Sequence, residues 1–206
     1  MTNTKILLVA AASFLSWSIS QASITSAGPW SYGGGVYCYG SLDAASQAVS
    51  WTGSQNSSSG DMGVTLFANS PADPILTIGN SINNTSSFAW TEYIVSVAMN
   101  QMFSINSANV TVPTGWTANI TAPTGPDING NFNGMIDYKG GAPVAINGTL
   151  DFGYVVQFTG STQYSLTESV QAVPEPGTFS FLAAGGLLVG GWFMAKRRQT
   201  RLLVRA

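Results

Sequence analysis

Period-2 alternation is the feature that most limits what this chain can become. From Leu150 to Phe158 the apolar side chains at 150, 152, 154, 156 and 158 fall on one side, with Asp151, Gly153, Val155 and Gln157 on the other. A strand with one face in a core produces that pattern, and a helix does not. Met62, Val64, Leu66 and Ala68 alternate in the same way, as do Tyr93, Val95, Val97 and Met99. Shorter runs at Ile75–Ile78, Met102–Ile105, Val110–Val112, Trp116–Thr121 and Met135–Tyr138 read as further strands, and Gln163–Val170 as the last. Pro113-Thr114-Gly115, Asn147-Gly148 and Gly160-Ser161 supply turns, the second of them a strong hairpin signal. Ser23 to Gly60 is loose, with one short apolar run at Val36–Tyr39, and only Leu42–Val49 has any helical character. The expected fold is all-β: an antiparallel two-sheet sandwich of jelly-roll or immunoglobulin-like topology, between which the pattern does not choose.

Composition narrows the function. Between Ser23 and Ala172 the acids Asp43, Asp61, Asp73, Glu92, Asp127, Asp137, Asp151 and Glu168 face a single base, Lys139. Such a domain has no attraction for phosphate backbones, which argues against nucleic acid as a partner. There is no histidine, so the Ser-His-Asp and Cys-His machineries and the common zinc sites are excluded. Cys38 is the one cysteine. No intrachain disulfide can form, and the fold must rest on its core.

The two ends read as export signals. Lys5 precedes an apolar run from Ile6 to Trp17, and Ser20-Gln21-Ala22 offers small residues where a signal peptidase reads. Residues 1–22 are the expected signal peptide, cut between Ala22 and Ser23, with signal peptidase and the general secretion machinery as partners. Residues 23–172 are the expected exported domain. At the other end Val173-Pro174-Glu175-Pro176 should be a stiff, extended, exposed connector, because proline fixes φ and donates no hydrogen bond. Gly177 to Ala195 is uncharged and would rise about 28 Å as a helix, enough to span a bilayer core. Lys196, Arg197 and Arg198 then stop transfer and hold residues 196–206 in the cytoplasm.

These three parts in this order, Val173-Pro174-Glu175-Pro176, the Gly/Ala/Leu-rich span Phe179–Ala195 and Lys196-Arg197-Arg198, resemble the PEP-CTERM sorting domain of bacterial envelope proteins. The segment after Arg198, Gln199 to Ala206, departs from the family pattern by running further. The resemblance implies an exosortase, an integral-membrane cysteine protease, as partner. It also implies cutting near Pro174-Glu175-Pro176, transient anchoring by one helix, and delivery to the cell surface or the extracellular matrix of bacteria that make exopolysaccharide.

Within the domain, Asp127, Asn129, Asn131 and Asn133, with Asp137 beyond, place oxygen ligands at alternate positions as calcium prefers. Phe132 and Tyr138 occupy positions where an EF-hand loop needs glycine and glutamate, and Asn/Asp/Gly loops also make plain turns. Trp30, Tyr32, Tyr37, Tyr39, Trp51, Trp90 and Trp116 are either core or an aromatic platform for sugars, with the Gly-rich Trp30–Gly40 segment the better exposed candidate. Glu92, Asp137, Asp151 and Glu168 could serve glycoside hydrolysis only if two of them were paired. The expected function is a non-enzymatic structural or adhesive surface protein without a cofactor. The alternatives are a calcium-assisted carbohydrate-binding module, with extracellular polysaccharide as partner, and, behind it, an extracellular hydrolase.

Overall fold

The computed structural model describes residues 21–175. It is all-β apart from one 3-10 turn at Ser107–Asn109. Eleven strands form two sheets: β1 (Ile24–Gly33), β2 (Val36–Asp43), β3 (Ala48–Gln55), β4 (Ser59–Ala68), β5 (Ile75–Asn84), β6 (Trp90–Met99), β7 (Phe103–Ile105), β8 (Thr117–Thr124), β9 (Phe132–Val144), β10 (Thr149–Phe158) and β11 (Gln163–Pro174). The first sheet runs β1-β4-β11-β6-β9-β8 and the second β2-β3-β5-β10-β7. Both turn one face to a shared core and form a sandwich. Among the described residues no helix is long and apolar enough to cross a membrane, and Gly177–Ala195 lies outside them.

The strands with the clearest alternation bury the expected sides. Leu150, Phe152, Tyr154, Val156 and Phe158 of β10 are inside, and so are Met62, Val64 and Leu66 of β4 and Tyr93, Val95, Val97 and Met99 of β6. Aromatic rings tie the two sheets together. Tyr93 of the first sheet lies 5.2 Å from Phe152 of the second, and Tyr138 lies 5.1 Å from the same ring. Offset contacts of this kind add about 0.5–1.5 kcal/mol each beyond the area they bury.

Four expectations are corrected. Ser23–Gly60 is not loose but holds β1, β2 and β3, whose many glycines and serines hide the alternation. Leu42–Val49 is not helical: it ends β2, turns and begins β3, with Asp43 Oδ1 accepting from the N–H groups of Ala45 and Ser46. The pairing is not wholly antiparallel, since β3 and β5 run parallel. The reason is the path: β4 crosses to the other sheet and back, so the chain re-enters the second sheet in its original direction. The Asn147-Gly148 turn forms, with Asn147 at φ 64° and Gly148 N–H donating to Ala145 O at 2.8 Å. It joins β9 of one sheet to β10 of the other instead of a pair of neighbours.

Candidate functional site

The start of the Pro-Glu-Pro segment is part of the sheet. β11 is central in the first sheet, between β4 and β6, and its pairing with β6 continues through Val173↔Glu92 to Pro174↔Trp90. Pairing with β4 stops at Gln171↔Ser59, so Val173 and Pro174 have a neighbour on one side only. A register shift separates Val173 from Pro174. Proline is tolerated at such a strand end because no ladder donor is required of it. The exposed connector expected from Val173 is therefore shorter than the sequence suggests, and the folded domain extends past Ala172.

A buried polar network fixes this junction. Thr91 Oγ1 lies 3.3 Å from the carbonyl oxygen of Val173 and 3.4 Å from that of Pro174, and Glu175 N–H donates to Ala89 O at 3.3 Å. Trp90, opposite Pro174, is fully buried, and its Nε1–H donates to Ser86 Oγ at 3.1 Å. Ser86 Oγ donates to Asn84 Oδ1 at 2.6 Å, while Asn84 Nδ2 donates to the carbonyls of Phe88 at 2.9 Å and Val144 at 3.0 Å. Every polar group in this set has a partner, so the platform beneath the motif is rigid. Pro176, Lys196, Arg197 and Arg198 lie outside the described residues.

The expected signal cleavage point is also packed against the domain. Ala22 is buried and donates its N–H to Ala72 O at 2.7 Å, and Ser23 N–H donates to Asn69 Oδ1 at 2.9 Å. Cutting between them leaves Ser23 as the first residue, with Ile24 fully buried behind it.

The polar loop uses its own ligands. Asp127 Oδ1 accepts from the N–H groups of Asn129 at 2.8 Å and Asn131 at 2.9 Å, and Oδ2 accepts from Asn133 Nδ2 at 3.0 Å. These donors hold the Asp127 carboxyl below its ordinary pKa. Asp137 is not brought to them. It sits within β9, paired in register with Ile94 and Asn119, and forms an ion pair with Lys139. Among the described residues no group of three or more His, Cys, Asp or Glu is placed to hold a metal.

The four acids considered for hydrolysis are spread over three places. Glu92 and Asp137 neighbour each other on the outer face of the first sheet, where burial first and Asp137 second raise the Glu92 pKa. Asp151 lies on the outer face of the second sheet. Glu168 is inside the sandwich with no exposure at all. Around it stand Trp51, Asn80 and Tyr154 from the second sheet. Trp51 Nε1, both amide atoms of Asn80, Tyr154 Oη and both oxygens of Glu168 are buried without a hydrogen bond. Burial pushes the Glu168 carboxyl up to about 7; Tyr154, Asn80 and Trp51 face it as donors that fall short of good hydrogen-bond geometry, so they offset only part of that rise. The sequence carries the signal for this position. Tyr164, Leu166, Val170 and Ala172 are the inward set of β11, and Glu168 shares their parity. Burial, and the nearby Glu168 second, also raise the Cys38 thiol to about 11, which removes it as a nucleophile.

The aromatic residues divide cleanly. Trp51, Trp90 and Trp116 are core, and Trp30 packs edge-on against Trp51 at 4.8 Å. Tyr32, Tyr37 and Tyr39 are 55%, 57% and 86% exposed. Compared with protein-family models, curated proteins and solved structures, the chain matches none.

Proposed function

We propose that this chain is an exported bacterial protein of the cell surface or exopolysaccharide matrix, with a structural or adhesive rather than enzymatic role. A signal peptide ending at Ala22 delivers it, one helix from Gly177 to Ala195 anchors it for a time, and an exosortase acts at Pro174-Glu175-Pro176. The observation that carries this reading is the order of parts at the C-terminus. A Pro-Glu-Pro motif begins on the last residue of the last strand, an uncharged span follows the motif, and Lys196-Arg197-Arg198 follows the span. The low-charge β-sandwich, with one buried and unreactive cysteine, suits a domain that persists outside the cell. Because Val173 and Pro174 are held in the ladder with β6, a protease that needs free extended backbone reaches the chain only past that pairing.

The test is the intact mass of the mature protein from its native host. A start at Ser23 and an end between Pro174 and Gly177 is the expected result. A tail retained through Ala206 in all of the protein would replace sorting with permanent anchoring.

A further inference from the structure

The outer face of the second sheet is built as a regular grid. The pairings align Tyr37, Ser54, Asn83 and Thr149 in one row and Tyr39, Thr52, Ser81 and Asp151 in the next. A third row holds Ser41, Ser50, Gly79 and Gly153, and a fourth Asp43, Ala48, Thr77 and Val155. Side chains of one sign of pleat share a face, so all of these point away from the core. In the third row two glycines lie side by side, Gly79↔Gly153, and the sheet surface drops between its neighbours. The result is a groove of about 300 Å3 floored by these glycines and walled by Ser50, Thr52, Thr77, Ser81 and Thr111. It crosses from β3 to β10, about 10 Å at the ordinary strand spacing, with Thr111 beyond β10.

Three properties define what fits. None of the five wall hydroxyls makes a hydrogen bond within the described residues, so each is free to donate and accept. Among the described residues no cation borders the groove, and the nearest charges are those of Asp151 and, on β2, Asp43. That disfavours an anionic polymer, which would meet only like charge. Tyr37 and Tyr39 stand on the edge strand β2, two residues apart and about 7 Å from one another along it, with their rings exposed. A ligand suited to this surface is uncharged, rich in hydroxyls, and has apolar faces that can lie on a glycine floor and against a tyrosine ring. That description is of a sugar chain.

We infer that the groove over Gly79 and Gly153 on the outer face of the second sheet binds a neutral polysaccharide, with Tyr39 and Tyr37 stacking beyond its β3 wall, on the neighbouring strand β2. The inference rests on the proposed surface or matrix role, and it supplies that role with its ligand class. Calcium has no part in it, since the Asp127 loop lies next to β9 of the other sheet.

Gly79 makes a clean test because a Cβ built there meets nothing within 4 Å and its backbone is not in the left-handed region. Gly79→Leu therefore fills the groove while leaving the fold alone. The full-length chain, in an uncharged detergent, is run through native affinity gels containing hydroxyethylcellulose, galactomannan, mixed-linkage β-glucan or dextran, with alginate as the anionic comparison. Retardation by at least one neutral polymer and none by alginate is expected. Gly79→Leu should weaken that retardation about tenfold or more, and Tyr39→Ala about threefold. Ser96→Leu, an exposed change on the outer face of the first sheet, should leave it unchanged. No retardation by any neutral polymer overturns the inference, as does binding that survives Gly79→Leu or falls equally with Ser96→Leu. The mass of the mature protein is read independently, so sorting and glycan binding fail separately.

Discussion

Glu168 makes the stability of the sandwich depend on pH in an unusual direction. Its carboxyl has an ordinary pKa of 4.5 and is pushed to about 7 by complete burial. Between those values the unfolded chain has released a proton that the folded chain still holds. Stability is therefore fully present below pH 4.5 and is lost as pH rises through 7. The full difference is about 2.5 pK units at 1.36 kcal/mol each, about 3 kcal/mol. Glu168→Gln keeps the shape and removes the titration. Urea titrations of residues 21–175 from pH 4.5 to 8.5 should show the wild type losing about 3 kcal/mol, about 1.5 M in midpoint at a typical slope of 2 kcal/mol per M. The variant lacks that loss, and other groups titrate in both proteins, so the difference between the two curves isolates Glu168. At pH 8.5 the glutamine variant should be the more stable of the pair. Parallel curves, or a variant that is weaker at alkaline pH, would refute the assignment of a neutral carboxyl at the centre of the core.

Two further outcomes follow from polar side chains that pair within the domain. Asn84→Ala strips the carbonyls of Phe88 and Val144 of their donor and Ser86 of its acceptor, all at a buried site beneath the motif. It should cost about 2–4 kcal/mol in a urea titration, whereas a loss under about 1 kcal/mol would mean that the network is not a platform. Millimolar calcium, compared with chelator, should leave the thermal midpoint unchanged to within about 1 °C, because Asp127 already spends both oxygens on its own loop. A rise of about 5 °C would return that loop to the calcium reading.

Much of the fold can be read from the chain where one face of a strand is apolar and the other is not. Leu150–Phe158 announces β10 because every inward position is large. In contrast β1 and β3 carry Ser and Thr at outward positions and few large residues inward, while β2 turns Tyr37 and Tyr39 outward and small Cys38 and Gly40 inward, so their alternation is faint. The parallel pairing of β3 with β5 leaves no local trace, since it follows from a crossing between sheets. Pro174 reads as part of an exposed connector because proline donates no hydrogen bond, but at a strand end beside a single neighbour no donor is needed. For the sites, the parity of Glu168 within β11 predicts its burial, whereas the Gly79–Gly153 groove exists only once two distant strands are in register.

The position of β11 also sets an order of assembly. Its partners β4 and β6 are not neighbours of each other, and Gln163 pairs with Phe67, about 100 residues earlier in the chain. Until Gln163–Pro174 arrives, the six-stranded sheet consists of two pieces, β1-β4 and β6-β9-β8, each with one unpaired edge more than it keeps in the finished sheet. A chain threaded through a membrane from its N-terminus brings these pieces across first and the strand that joins them last. Under the proposed route the sorting signal arrives immediately behind that strand. Completion of the sheet and eligibility for processing then coincide, and a chain not yet joined by β11 carries two extra open edges, β4 and β6, in place of one continuous sheet.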